Sequence, residues 1–204
     1  MSWAYPAAAR MGWLTTTVSN PSLNEAQGLA YLFRGNGTLF TPGFGLLTDQ
    51  LRTQGLWAED LTCNGLPWVK QHVMKGHRSC PIILIGHSCG GRRCLQLAAL
   101  LEAAGISIDL LICIDVAFPP TVPANVRRAV HLYRTRWRFY PARPLVPCTA
   151  GTSQIDNIDL DQPHAPFPGT WLNHLNITGS EALQLWIKHQ VMQLMQTRVP
   201  PPSA

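Results

Sequence analysis

Apolar residues along this chain gather into short blocks separated by glycine- and proline-rich breaks, and the spacing inside each block predicts what it forms. Residues 28–34 (GLAYLFR) are an apolar run closed by Gly35-Asn36-Gly37, the pattern of a buried strand that ends in a tight loop. Leu46, Leu47 and Leu51 then recur at helical spacing with Gly55 as a stop, and LWAEDL follows as another short strand. Strand, helix, strand is the order of a parallel crossover. The stretch from Pro67 to about Gly76 suits a second short helix, and Pro81 introduces PIILIGH, a run rich in β-branched residues and the expected central strand. From Gly90 to about Ala104 an apolar face through Cys94, Leu97, Ala98 and Leu101 predicts a long helix that Gly105 terminates. IDLLICID (108–115) predicts a second buried strand and Ala129 to Arg134 a third of alternating character. Ser180 to Thr197 predicts an amphipathic C-terminal helix with Ser180 at its N-cap.

Several of these strands are apolar throughout, so both faces of their sheet must be covered. The expected fold class is therefore α/β, a doubly wound, mostly parallel sheet with helices on both faces and little or no lid. A chain of 204 residues that is 46% hydrophobic can bury one substantial core, which predicts a single domain over 1–204. Residues 1–27 are expected to be an irregular N-terminal segment and 198–204 a C-terminal tail. Pro-rich stretches at 119–123, 141–147 and 163–168 read as loops within that domain, and there is no internal repeat.

Charge narrows the partners. Sixteen Lys and Arg against eleven Asp and Glu give a formal charge of +5, yet no Lys/Arg run exceeds a pair, so no nucleic-acid partner is expected. No segment has the length and apolarity of a membrane span or of a signal peptide, and the expected location is cytoplasmic, with secretion left open. The six cysteines are too scattered for a disulfide scaffold and include no C-x-x-C pair. Cys89, Cys94 and Cys113 fall inside apolar elements and read as reduced core thiols. Nothing in the sequence calls for a metal or a cofactor, and the oligomeric state is not legible.

Gly86-His87-Ser88-Cys89-Gly90 has the form G-x-S-x-G, and its context is the one that gives the form meaning: a buried strand directly before it and a long helix directly after. A serine on such a sharp turn takes strained backbone angles, and flanking glycines let the strand and helix approach it. The helix N-terminus favours the negative charge that develops when Ser88 attacks a carbonyl carbon. The competing readings are a strand-to-helix turn without catalysis and a phosphate cradle. The spacing of G-x-G-x-x-G or of a P-loop is absent.

GHSCGG resembles the GHSxGG elbow of the α/β-hydrolase superfamily, particularly its lipase, esterase and thioesterase-like members, and the resemblance runs over most of the chain. LFRGNG is similar to the H-G-x-G oxyanion loop with Arg34 in place of the histidine, LLICID to the strand after the elbow helix, and LNHLNI to the segment bearing the catalytic histidine. The pattern of LFRG, GHS and ID-x-x-x-P also resembles small bacterial hydrolase-like proteins. The resemblance implies a triad in the chain order Ser, Asp or Glu, His. It places the histidine at His174, with His164 as the alternative. Asp115, at the end of its strand, is the expected acid. The family more often places the acid one strand later, where YRTRWRFYPARP holds no carboxylate, and Asp156, Asp159 and Asp161 are the fallbacks. The backbone N–H groups of Cys89 and Asn36 are the implied oxyanion hole, while Arg34 is either a substrate-binding residue or a structural prop.

The expected reaction is hydrolysis of a small-molecule carboxylic ester or thioester through an acyl-enzyme on Ser88. Transfer of a carrier-bound acyl chain and a catalytically inactive interaction protein are the alternatives. Phe118, Trp137, Phe139, Phe167 and Trp171 are candidates to line an acyl pocket, Phe118 foremost. Arg134, Arg136 and Arg138 alternate along the chain and are candidates for an anionic group, or simply a solvated row.

Overall fold

A computed structural model of the chain describes residues 17–35, 43–76, 80–135, 143–148, 153–167 and 172–198. Its elements run β1 (Leu29–Phe33), α1 (Gly43–Thr53), β2 (Trp57–Leu61), α2 (Leu66–Gly76), β3 (Ile82–His87), α3 (Cys89–Glu102), β4 (Ile108–Ile114), β5 (Val126–Tyr133), β6 (Gln154–Asp159) and α4 (Glu181–Arg198). The six strands form one sheet in the order β2-β1-β3-β4-β5-β6, every neighbouring pair parallel. The doubly wound α/β class expected from the apolar runs is thus the architecture found. The direction in which strands are added reverses beside β1: β2 is added on one side, and β3 to β6 on the other. Crevices for ligands open at such a switch point, outside the carboxyl ends of the strands.

Alternation along the strands sorts side chains to the two faces. Leu29, Tyr31 and Phe33 of β1, Leu84 of β3 and Leu111 and Cys113 of β4 pack with Val69 and Val73 of α2 and Cys94, Leu97, Ala98 and Leu101 of α3. On the opposite face Ala30, Leu32, Ile83, Ile85, Leu110, Ile112 and Ile114 meet Phe44, Leu47 and Leu51 of α1 and Leu183, Ile187 and Val191 of α4. Ser180 caps α4 as expected, its Oγ accepting the N–H of Leu183 at 3.3 Å. No helix among the described residues is long and apolar enough to cross a membrane.

Three local readings change. Leu46 belongs to the solvent face of α1, 55% exposed, because the buried stripe runs through Phe44, Leu47, Thr48 and Leu51. β5 begins three residues before Ala129, the expected start, since Arg127 and Arg128 interrupt its apolar pattern while their backbone stays paired. β6 has no counterpart in the expected elements. It is a half-exposed edge strand, QIDNID, whose carboxylates at Asp156 and Asp159 hide the strand pattern, and charged edges of this kind protect a sheet from further pairing.

The two leucine environments predict opposite outcomes. Leu84→Ala removes a fully buried side chain from β3 and should lower unfolding free energy by about 2–5 kcal/mol. Leu46→Ala should stay within about 0.5 kcal/mol of the parent. Urea unfolding of both variants checks the helix phase directly.

Candidate active site

Ser88 stands between the end of β3 and the start of α3 with φ +55° and ψ −123°, in the left-handed half of backbone space that a side chain resists. Close backbone approach holds it there. A Cβ at Gly90 would lie 2.0 Å from the carbonyl oxygen of Phe33, and one at Gly86 would lie 2.5 Å from the carbonyl carbon of Gly90. Only glycines let α3 start this near to β1 and β3. The Ser88 N–H donates to the carbonyl of Ile114 at 2.9 Å, and the Ser88 carbonyl accepts from the N–H of Gly91 at 3.1 Å. The residue is 7% exposed.

Asp115 follows β4 at the same sheet edge, and it too has positive φ, +49°. β5 pins this turn: the Asp115 N–H donates to the Leu132 carbonyl at 2.7 Å, and the next N–H, of Val116, donates to Nε2 of the buried His131 at 3.1 Å. Asp115 Oδ2 lies 2.6 Å from His174 Nδ1. A carboxylate can only accept, so the ring's Nδ1 carries the proton and, in the neutral ring, Nε2 is left as a base. The ring of His174 sits 4.6 Å, centroid to centroid, from that of His87, the residue before Ser88. The structure therefore brings Ser88, Asp115 and His174 to one edge of the sheet.

The alternatives lie elsewhere. His164 is exposed, in the turn after β6. Asp156 pairs with Arg128 at 2.9 Å, Asp159 accepts from the hydroxyl of Thr135 at 2.8 Å, and Asp161 pairs with Arg134. That last pair also removes Arg134 from the expected anion-binding row, while Arg136 and Arg138 lie outside the described residues.

Gly35 stands close to the serine: a Cβ on it would be 3.3 Å from Ser88 Cβ and 3.0 Å from His87 Nδ1. Asn36, the implied second oxyanion donor, is outside the described residues. Cys89, the implied first donor, opens α3. It is half-buried and in contact with Cys63, whereas Cys94 and Cys113 are fully buried in the core as expected. Arg34 is engaged within the protein: its guanidinium is buried and forks onto Asp60 of β2, Nε at 2.7 and 2.8 Å from the two carboxylate oxygens, an arrangement that suits a structural prop. Burial pushes the Asp60 carboxyl up against the opposing pull of Arg34. Breaking such a pair strands a buried charge at a cost of about 3–5 kcal/mol.

Phe118 closes the turn after Asp115 at the rim, 52% exposed and again with positive φ, +46°. Arg143 covers its ring at 5.1 Å and Arg92 donates to its carbonyl. Phe167 is buried instead in the core against Trp186 of α4, and Trp137, Phe139 and Trp171 lie outside the described residues. Asp60 and Cys63 are not marked by the sequence, and His131, one of the histidines that follow Ser88, shows there as a strand residue without its contact to Val116. Each acts through a partner distant along the chain, which no local pattern announces. Among the described residues no group of three or more His, Cys, Asp or Glu side chains is placed to hold a metal ion.

A parallel six-stranded sheet with its elbow between the third strand in sequence and the following helix is the α/β-hydrolase fold, and solved structures similar in shape carry it. One is the NocB thioesterase domain from the nocardicin cluster, 14% identical with a TM-score of 0.51 over 83% of this chain and 96% of that one. Human thioesterase 2 is 11% identical with a TM-score of 0.57, covering 87% of this chain and 100% of that one. The NocB domain in covalent complex with a fluorophosphonate nocardicin G analogue is 14% identical with a TM-score of 0.54, over 82% and 96%. At these identities the likeness concerns the fold. The sequence matches no family model and no curated protein.

Two buried imidazoles give the site a pH signature. Burial, with the nearby His174 second, lowers His87 from 6.5 to about 3, and burial lowers His131 to about 4. In the unfolded chain both rings take up a proton below pH 6.5 while the folded protein keeps them neutral. The unfolded state therefore binds more protons, and stability is lost as pH falls from 6.5 toward 4, by at most about 1.4 kcal/mol per pH unit for each ring. Urea midpoints measured between pH 7 and 4.5 should fall, and His131→Asn should fall less steeply than the parent. Equal slopes would show that His131 is not held neutral.

Proposed function

We propose that the protein is a serine hydrolase that cleaves a carboxylic ester or thioester through an acyl-enzyme on Ser88. The observation that carries this reading is the 2.6 Å bond between His174 Nδ1 and Asp115 Oδ2 at the sheet edge where the strained Ser88 stands. Asp115 fixes the tautomer and orientation of His174. Nε2 then accepts the Ser88 hydroxyl proton as the oxygen attacks the carbonyl carbon, and the imidazolium that forms is stabilised by the buried carboxylate. The tetrahedral oxyanion is received by the N–H of Cys89, at the positive end of α3, and by that of Asn36. Collapse of this intermediate expels the alcohol or thiol, protonated by His174. Water then repeats the sequence to release the acid, with His174 again as base. Phe118 offers an apolar wall to the acyl group, and the buried Arg34–Asp60 pair holds the Gly35 loop against Ser88.

The thioester half of the proposal draws on the neighbours, all three of which are described as thioesterases or thioesterase domains, one of them in covalent complex with a fluorophosphonate. A fluorophosphonate probe should label the protein at Ser88 alone, and Ser88→Ala should abolish labelling. His174→Ala and Asp115→Asn should lower turnover of a p-nitrophenyl ester and of a short acyl thioester by about 10³-fold or more while leaving the folded state intact by circular dichroism. A parent protein that stays unlabelled from pH 6 to 9, or a His174→Ala variant with near-normal turnover, would overturn the assignment.

A further inference from the structure

Beside the elbow lies a pair of reactive groups that the proposed chemistry leaves unused. Cys63 belongs to the short 3-10 turn Cys63–Gly65 that links β2 to α2, and Cys89 is the first residue of α3. The two are 26 residues apart in sequence, yet their sulfurs are 2.6 Å apart. A disulfide bond is about 2.05 Å long, so its formation asks the sulfurs to close by only about 0.6 Å. Both residues are half-buried, within reach of a small reagent, whereas Cys94 and Cys113 are sealed in the core. Cys63 also donates its S–H to the carbonyl oxygen of Arg34 at 3.1 Å. The same carbonyl abuts the start of α3, 2.7 Å from where a Cβ on Gly90 would stand. The sulfur pair thus joins the two backbone segments that flank Ser88: the Arg34–Gly35 loop on one side and the first turn of α3 on the other.

We propose that Cys63 and Cys89 form a reversible disulfide that lowers the reactivity of Ser88. The exchange needs a small-molecule disulfide as oxidant. Cys89, at the end of the helix that favours a thiolate, attacks one sulfur of the oxidant and expels its partner as a thiolate. Cys63 loses its proton to solvent and attacks Cys89 in the mixed disulfide, forming the Cys63–Cys89 bond and expelling the second thiolate. Two cysteine thiols are oxidised and one disulfide is reduced to two thiols, so electrons and protons balance. The Cys89 sulfur and burial together push the Cys63 thiol up, in keeping with Cys63 as the partner that holds its proton until the second step.

Oxidation removes the S–H that the Arg34 carbonyl accepts and ties the first turn of α3 to the turn after β2. Both changes fall on the backbone proposed to supply the oxyanion donors, where small displacements are felt steeply. The effect on Ser88 rests on the acyl-enzyme reading, but the bond itself does not.

The full-length reduced protein, equilibrated with excess oxidised glutathione, should lose two hydrogen atoms by intact mass. Non-reducing peptide mapping should join the Cys63 and Cys89 peptides and leave Cys80, Cys94, Cys113 and Cys148 free to alkylate. The rate of fluorophosphonate labelling should fall about tenfold and return on reduction with dithiothreitol. Cys63→Ser, which keeps a donor for the Arg34 carbonyl, should label at the rate of the reduced parent before the treatment and, lacking the resolving thiol, should hold one glutathione on Cys89 after it instead of losing two hydrogen atoms. In the parent, a persistent glutathione adduct on Cys89 in place of the internal bond, or a bond between other cysteines, overturns the pairing. An oxidised protein that labels as fast as the reduced one overturns the control. If the reduced protein does not label at all, the acyl-enzyme reading and the control both fail, while the peptide map still decides whether the bond forms.

Discussion

The approach of α3 to the carboxyl ends of β1 and β3 is the constraint from which the site is built. Gly90 rests on the Phe33 carbonyl and Gly86 on the backbone of Gly90, at separations where any side-chain carbon would overlap a neighbouring backbone atom. Because these contacts are backbone on backbone, no rotamer change relieves them. They set how sharply the chain must turn between strand and helix, and the turn forces Ser88 into positive φ. The same contacts bring Ser88 against the Gly35 backbone, so the serine and the Arg34–Gly35 loop are positioned by one packing event.

Strain is not confined to the serine. Ser88, Asp115 and Phe118 are the non-glycine residues with positive φ among the described residues, and all three lie in turns at the carboxyl edge of the sheet. Each conformation costs about 1–3 kcal/mol, so the surroundings must over-determine it. For Asp115 they do so through β5, where the Leu132 carbonyl and the His131 ring take the N–H groups of Asp115 and Val116. An imidazole buried in a strand would ordinarily be a liability. Here it is kept neutral and its Nε2 lone pair serves as an acceptor, which ties the placement of Asp115 to the pH dependence of folding.

How much of this was legible depends on the range of the interaction. Runs such as PIILIGH and IDLLICID announce buried parallel strands because both faces are covered, and G-x-S-x-G between strand and helix announces the elbow. The edge strand β6 was not legible: half of it faces solvent, its pattern is broken by Asp156 and Asp159, and its strand character comes from pairing with β5. Arg34 is the instructive intermediate. Its position in the LFRG segment marked it as belonging to the oxyanion loop, but whether its guanidinium met a ligand or the protein depended on Asp60, 26 residues away on the neighbouring strand. Cys63 beside Cys89 is another contact of that kind, set by the way β2 and α2 are laid beside β1.

The basic composition takes on a different meaning once the pairs are in view. Arg34 meets Asp60, Arg52 meets Glu59, Arg127 meets Asp109, Arg128 meets Asp156 and Arg134 meets Asp161. The exposed member of this set, Arg127, gains little from its pair, since water screens it. The buried Arg34 and Arg52 instead join β2 to the elements beside it, Arg52 reaching from α1 to the Ala58 carbonyl at 2.7 Å. Their desolvation is tolerable only because carboxylate and carbonyl oxygens meet their N–H groups in fork geometry. Much of the arginine content among the described residues is therefore structural, spent on fixing strands whose ends carry the site. Arg92 and Arg143 differ, because both gather around Phe118 at the rim.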